Sequence, residues 1–242
     1  MTDVASTPAL RVTNLDVRYG AARALFAVSF DVPAGNTVAI LGPNGAGKSS
    51  IARAVSGLVA VHSGQVVLAG EDVTNKRPHV IRRQGLLHLP EGRGIFPALT
   101  VEENLRMAGA VLTRAQRNAG VERGFEIFTP LAGRRRQQAG TLSGGEQQML
   151  SLARALVVAP KVVVADEMSL GLAPKMVDLI FDSLRRAQES GVAVVLIEQF
   201  IHRALGLAQY CVMLQRGAVV WAGPSTGAKD EIINRYLAAG AA

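Results

Sequence analysis

The sequence predicts an α/β fold, with parallel-sheet strands gathered around a glycine-rich phosphate loop, a β-rich start and a helical insert. Three observations carry the prediction. Thr37–Leu41 (TVAIL), Val162–Ala165 (VVVA) and Ala193–Ile197 (AVVLI) are short apolar runs of strand length. The first leads into GPNGAGKSS at Gly42–Ser50 and then into a helix-like stretch, Ile51–Val55, ending near Gly57. The long interval before Val162 carries helix signals.

Along the chain, Val12–Val17 and Ala24–Val32 alternate or cluster apolar residues as β-strands do, with the turn YGAAR between them. Val66–Ala69 is a further strand. Thr100 followed by Glu103 has capping-box spacing, which predicts a helix over Val101–Val111. From there to about Arg136 the chain reads as mostly helical, carrying Leu105, Met107, Phe125, Ile127 and Phe128. LSGGEQQ (Leu142–Gln148) opens another helix, Glu146–Val158, which Pro160 stops. Pro174 is placed to begin a helix through Gln188. The YCVML segment around Cys211 and Arg216–Ala222 are late strands, and Asp230–Ala238 is a terminal helix. No repeat or low-complexity linker divides these parts. Residues 1–242 are therefore expected to form one domain, with a helical subdomain at about 90–160.

Three motifs carry chemistry. Gly42, Pro43, Asn44, Gly45, Ala46, Gly47, Lys48 and Ser49 fit the spacing G-x-x-x-x-G-K-S/T. Backbone N–H groups of such a loop wrap a phosphate chain, the lysine reaches its outer phosphates, and the hydroxyl takes Mg²⁺. The Ser49–Ser50 end opens a helix, whose unpaired N–H groups and dipole attract anions. The strand Val162–Ala165 ends in Asp166 and Glu167: one carboxylate is suited to Mg²⁺, the next to orienting or deprotonating an attacking water. In LSGGE, Ser143, Gly144 and Gly145 precede a helix and make a second anion site, with no lysine and no metal carboxylate. Together these features imply nucleotide binding, and favour hydrolysis over binding alone.

Composition narrows the class. Hydrophobic residues make up 49% and charged residues 19%, a globular profile. No apolar run approaches the roughly 20 residues that span a bilayer, and MTDVASTPAL has no secretion signal. A single cysteine rules out internal disulfides and fits a reducing compartment. The net charge of +7 favours anionic partners without choosing among nucleotide, nucleic acid and lipid. His62, His79, His88 and His202 lack paired metal spacing and read as surface or core residues.

With LSGGE between the phosphate loop and the acidic strand end, nearly the whole chain resembles the ATP-binding cassette (ABC) ATPases. That resemblance implies a P-loop NTPase core of ABC type, with an antiparallel β-subdomain and a helical subdomain. It implies two cassettes paired head to tail, Ser143–Gly145 of one facing the γ-phosphate held by Lys48 of the other. Tyr19 looks like the adenine-stacking aromatic of the family, and Ser169–Leu172 like the loop that touches the partner cassette. The family's usual glutamine before the helical insert is Glu91 here, in HLPEGRGIF, and its usual histidine is Gln199, in LIEQF. These two, with SLGLAP and FPALTVEENL, resemble the second ATPase subunit of branched-chain amino-acid importers. Met168 and Phe200 depart even from that subfamily's usual proline and asparagine.

Gln199 can donate an N–H to a γ-phosphate oxygen but cannot hold a proton near neutral pH. Glu91 adds negative charge where metal and attacking water belong, either strengthening Mg²⁺ binding or repelling phosphate. The importer resemblance implies membrane permease subunits, a second ABC ATPase subunit (identical or related) and, indirectly, a periplasmic or extracellular substrate-binding protein. It implies a peripheral place on the cytoplasmic face of the plasma membrane and no nucleic-acid partner. Urea or amide importers are near rivals. Soluble ABC ATPases acting on nucleic acid or ribosomes are the other class, and no sustained heptads between Ser49 and Asp166 support the chromosome-type members. A nucleotide-responsive scaffold with little hydrolysis is a third reading, resting on Met168.

Overall fold

The computed structural model describes residues 7–90, 94–110, 112–170, 173–198, 201–226, 230 and 232–234. In chain order the elements are β1 (Leu10–Tyr19), β2 (Ala22–Val32), β3 (Thr37–Leu41), α1 (Lys48–Val55), β4 (Val61–Leu68), β5 (Glu71–Asp72), α2 (Pro78–Gln84), β6 (Leu86–Leu89), α3 (Val101–Ala108), α4 (Arg114–Ile127), α5 (Thr129–Ala132), α6 (Gly144–Val157), β7 (Val162–Asp166), α7 (Pro174–Glu189), β8 (Ala193–Ile197), α8 (Ile201–Leu207), β9 (Tyr210–Gln215) and β10 (Ala218–Pro224). They fall into two compact units. The first comprises Met1–His88, Lys161–Asp166 and Gly191–Ala242, and the second Leu89–Pro160 and Glu167–Ser190.

The first unit holds two sheets over one core. A four-stranded antiparallel sheet runs in the order β2-β1-β4-β5, and a six-stranded sheet in the order β10-β9-β3-β8-β7-β6. In the larger sheet β3, β8 and β7 are parallel, β9 runs parallel to β3, and β10 closes back antiparallel on β9. Every residue of β3, β7 and β8 is buried, which is why their sequences are continuous apolar runs instead of alternating ones. Ile40, Ile51, Val164 and Val195 join Leu10, Leu25 and Val66 of the smaller sheet in a single cluster. Parallel strands carry their carboxyl ends to the same edge, so the chain leaving β3 at Leu41 and β7 at Asp166 emerges where α/β proteins bind ligands. Cys211 is buried in β9, and burial pushes its thiol up to about 12.

The second unit is helical. α6 is buried nearly all round, with Met149, Leu150, Leu152, Ala153 and Leu156 enclosed, and it packs on α3, α4, α5 and α7. α3 begins at a full capping box: the Thr100 hydroxyl accepts from Glu103 N–H, and Glu103 accepts from Thr100 N–H. Pro174 opens α7.

Several boundaries differ from the sequence expectations for physical reasons. β1 and β2 extend to a tight hairpin, Tyr19 pairing with Ala22, so only two residues turn. β4 begins at Val61, not Val66, because its polar first half still pairs with Thr13, Asp16 and Val17 of β1. α3 ends at Ala108, capped by Gly109, while Val111 lies outside the described residues. The stretch before Arg136 is not helical to its end. Helix stops with α5 at Ala132, and the Arg135 and Gln137 carbonyls instead accept the otherwise unpaired N–H groups of Glu102 and Val101 at the start of α3. The late strand begins at Ala218 because Arg216 and Gly217 turn through positive φ. Of the terminal helix, Asp230 and residues 232–234 are helical, and 235–238 lie outside the described residues. Leucine-rich β6, short α2 and α8, and two-residue β5 had no prediction; each is too short for a periodicity to show.

Candidate nucleotide site

The phosphate loop is built from the strand upward. β3 delivers Gly42 with φ 153°, where a Cβ would stand 2.4 Å from the Leu214 carbonyl oxygen. Gly47 turns the chain into α1 with φ 103°, and no side chain caps that helix. The first N–H groups of α1 are thus left to an anion. Lys48 is buried and curls over its own loop, Nζ donating to the carbonyls of Gly42 at 2.9 Å and Pro43 at 3.1 Å. The loop is pinned from outside as well, since Ala46 accepts from the Gly217 N–H.

Ser49 and Asp166, far apart in sequence, meet here: the Ser49 hydroxyl donates to Asp166 Oδ1 at 3.3 Å. Both are oxygen ligands of the kind that Mg²⁺ takes. Among the described residues no group of three or more His, Cys, Asp or Glu is placed to hold a metal ion. The other Asp166 oxygen faces His88 Nε2 at 3.8 Å, a neighbour that sequence reasoning missed. Nothing local announces it, because β6 and β7 are brought side by side only by the sheet. Glu167, directly after Asp166, sits in the left-handed region at φ 49°.

Tyr19 closes β1, is 42% exposed, and its hydroxyl donates to Ser50 Oγ at 3.4 Å. The loop-side face of the first unit thus carries an accessible aromatic ring. In the second unit LSGGE differs from its expected form: α6 starts at Gly144, not Glu146. Ser143 itself is the cap, accepting from Glu146 N–H at 3.4 Å, while Glu146 accepts from Ser143 N–H at 2.8 Å. Gly144 and Gly145 are then the first helical residues, their N–H groups among those a helix leaves unpaired. Glu91 and Gln199 lie outside the described residues, as do Phe200 and Leu172.

A buried lysine wrapped by a glycine loop between strand and helix, with a hydroxyl–carboxylate pair at the carboxyl ends of parallel strands, defines a P-loop nucleotide-binding protein. The chain belongs to the ABC transporter family, whose profile matches residues 25–169. It is 40% identical, over 87% of its length and 91% of the relative's, to the high-affinity branched-chain amino acid transport ATP-binding protein BraG of Pseudomonas aeruginosa. It is 36% identical to a probable branched-chain amino acid transport ATP-binding protein LivF of Archaeoglobus fulgidus, over 88% of this chain and 91% of that one. Its fold matches MJ1267, an ATP-binding cassette of an ABC transporter solved in the ADP conformation. The TM-score is 0.84 at 26% identity, over 95% of this chain and 97% of the other. The protein is an ABC-type ATPase that binds ATP, with the cassette fold of a P-loop core, an antiparallel β-sheet and a helical part.

Proposed function

We propose that the chain is the energy-coupling ATPase subunit of a membrane importer, with branched-chain amino acids as its cargo. The observation that carries this is the likeness to BraG and LivF, at 40% and 36% identity over nearly the whole length. The Glu91 and Gln199 positions of the sequence support the same subfamily.

In this reading residues 1–242 act as a single nucleotide-binding domain with a helical subdomain at about 90–160. The loop Gly42–Ser50 takes the phosphates, Lys48 leaving its loop carbonyls for the outer ones, and Tyr19 stacks on adenine. Ser49 and Asp166 hold Mg²⁺, with Glu91 a further candidate. The bound cation supplies charge neutralisation at the phosphates. Glu167 acts as general base, and Gln199 donates an N–H toward the γ-phosphate. The site is completed by Ser143–Gly145 of a second cassette, so that ATP joins two cassettes and hydrolysis releases them.

No helix of the described residues is long and apolar enough to cross a membrane. Permease subunits provide the path in this proposal, docked on the helical subdomain and the Glu91 loop at the cytoplasmic face. A substrate-binding protein outside the membrane delivers the cargo, which never touches this chain. The test is an affinity pull-down from native membranes with identification by mass spectrometry. Polytopic permease subunits, a second cassette and a binding protein that takes branched-chain amino acids are the expected recovery. Ribosomes or DNA-bound proteins without a permease would overturn the proposal.

A further inference from the structure

We infer that His88 is a positioning residue for the Asp166 carboxylate. It lies in β6, the strand beside β7, and its flanking residues Leu86, Leu87 and Leu89 are all buried. A histidine in such a run is costly unless its polar atoms are used. The side chain is 9% exposed and the Asp166 side chain 6%, with Nε2 facing Oδ2 at 3.8 Å. Nε2 is buried and has no hydrogen-bond partner among the described residues.

The carboxylate is approached from two directions. Oδ1 accepts from the Ser49 hydroxyl, and Oδ2 faces the imidazole. A neutral imidazole protonated at Nε2 offers one N–H, and the carboxylate oxygen in front of it is a charged acceptor. The 3.8 Å separation exceeds a hydrogen bond by less than about 1 Å. A small side-chain rotation or one bridging water closes it. Either way the imidazole fixes the plane in which Asp166 presents its oxygens. Carboxylates that hold a cation depend on such outer hydrogen bonds, whose loss lowers metal affinity by about 10–100-fold. The inference rests on the proposed assignment of Asp166 to the cation.

The experiment uses the full chain with ATP and Mn²⁺ as the spectroscopic stand-in for Mg²⁺. Mn²⁺ affinity of the protein–ATP complex is read by electron paramagnetic resonance, and ATP affinity is read separately in chelator. His88→Phe keeps the ring and removes the donor. It is expected to weaken Mn²⁺ binding by about tenfold while metal-free ATP affinity stays at the wild-type value. His88→Gln, which returns an N–H near the Nε2 position, is expected to recover most of the loss. Should His88→Phe fail to fold, His88→Met against His88→Gln decides the point in the same assay. Unchanged Mn²⁺ affinity, an equal fall in both affinities, or a folded His88→Gln protein no better than the apolar variant would each overturn the inference. Asp166→Asn separates its failure from that of the assignment beneath it. Wild-type Mn²⁺ affinity in Asp166→Asn removes the cation assignment and the His88 role together. Loss there, beside a wild-type His88→Phe, removes the His88 role alone.

Discussion

The Ser49 hydroxyl donates to Asp166 Oδ1 at 3.3 Å, tying the second residue of α1 to the last residue of β7. The bond joins the phosphate loop to the carboxylate strand before any ligand is considered, so the two oxygens are preset at one place. Asp166→Asn retains an oxygen that can accept from Ser49 and nearly the same volume, while removing the charge. The expected outcome is a folded protein that binds ATP in chelator and loses at least about 10²-fold in Mg²⁺-dependent turnover, the scale of losing a metal-held charge. Steady-state ATPase assays across a Mg²⁺ titration check it, and turnover restored at high Mg²⁺ would place the defect in affinity alone.

Glu167 occupies a left-handed backbone position at φ 49°, uncommon for a residue with a Cβ and found where a site holds its backbone in place. Glu167→Gln leaves that geometry and volume as they are and removes only the basic carboxylate. Turnover should fall by about 10²-fold or more, with ATP affinity kept. The variant should gather into dimers when ATP is added, as size-exclusion chromatography with light scattering would report. Monomers at saturating ATP would count against the two-cassette arrangement.

Gly42 and Gly45 allow the loop's steric and backbone demands to be separated. A Cβ at Gly42 meets the Leu214 carbonyl oxygen at 2.4 Å, whereas at Gly45, φ 79°, nothing lies within 4 Å. Gly42→Ala therefore combines strain with a clash against backbone, and Gly45→Ala carries strain alone. The first should cost about 2–3 kcal/mol and the second about 1 kcal/mol. Denaturant melts rank them, and ATP binding should be lost in Gly42→Ala. Equal destabilisation would show that the Leu214 contact is relieved by movement.

How much of this was legible beforehand depended on range. Gly42–Ser49, the cap at Thr100 and the helix-opening Pro174 are local, each specified within a few consecutive residues, whereas the cap at Ser143 starts its helix two residues earlier than the sequence reading places it. The buried strands Thr37–Leu41 and Ala193–Ile197 were readable to the residue because burial on both faces leaves them apolar throughout, Thr37 at the start of the first excepted. The start of β4 was not, because His62, Ser63, Gly64 and Gln65 look like a turn and become strand only by pairing with β1. His88 beside Asp166 was hidden for the same reason: strand order, a property of the whole sheet, makes them neighbours.

The start of α6 should weaken in acid through Glu146. Burial favours its protonation, yet the N–H and hydroxyl of Ser143, with Arg134 at 2.9 Å, outweigh that and hold its carboxyl below the usual range. A carboxylate depressed in the folded state adds stability that is fully present above the unfolded value, near 4.3. It is lost as pH falls through the lower folded value. Glu146→Gln keeps an oxygen to accept from the Ser143 N–H, but it has no charge for Arg134 or for the positive end of α6. At pH 7 the variant should be less stable than wild type by about 0.5–1 kcal/mol. The gap should shrink as both proteins are taken below pH 4, because only the wild type loses a charge there. Paired urea melts at pH 7 and near pH 3.5 measure it, other carboxylates cancelling in the difference. A gap of the same size at both pH values would mean that the Glu146 charge contributes nothing to the cap.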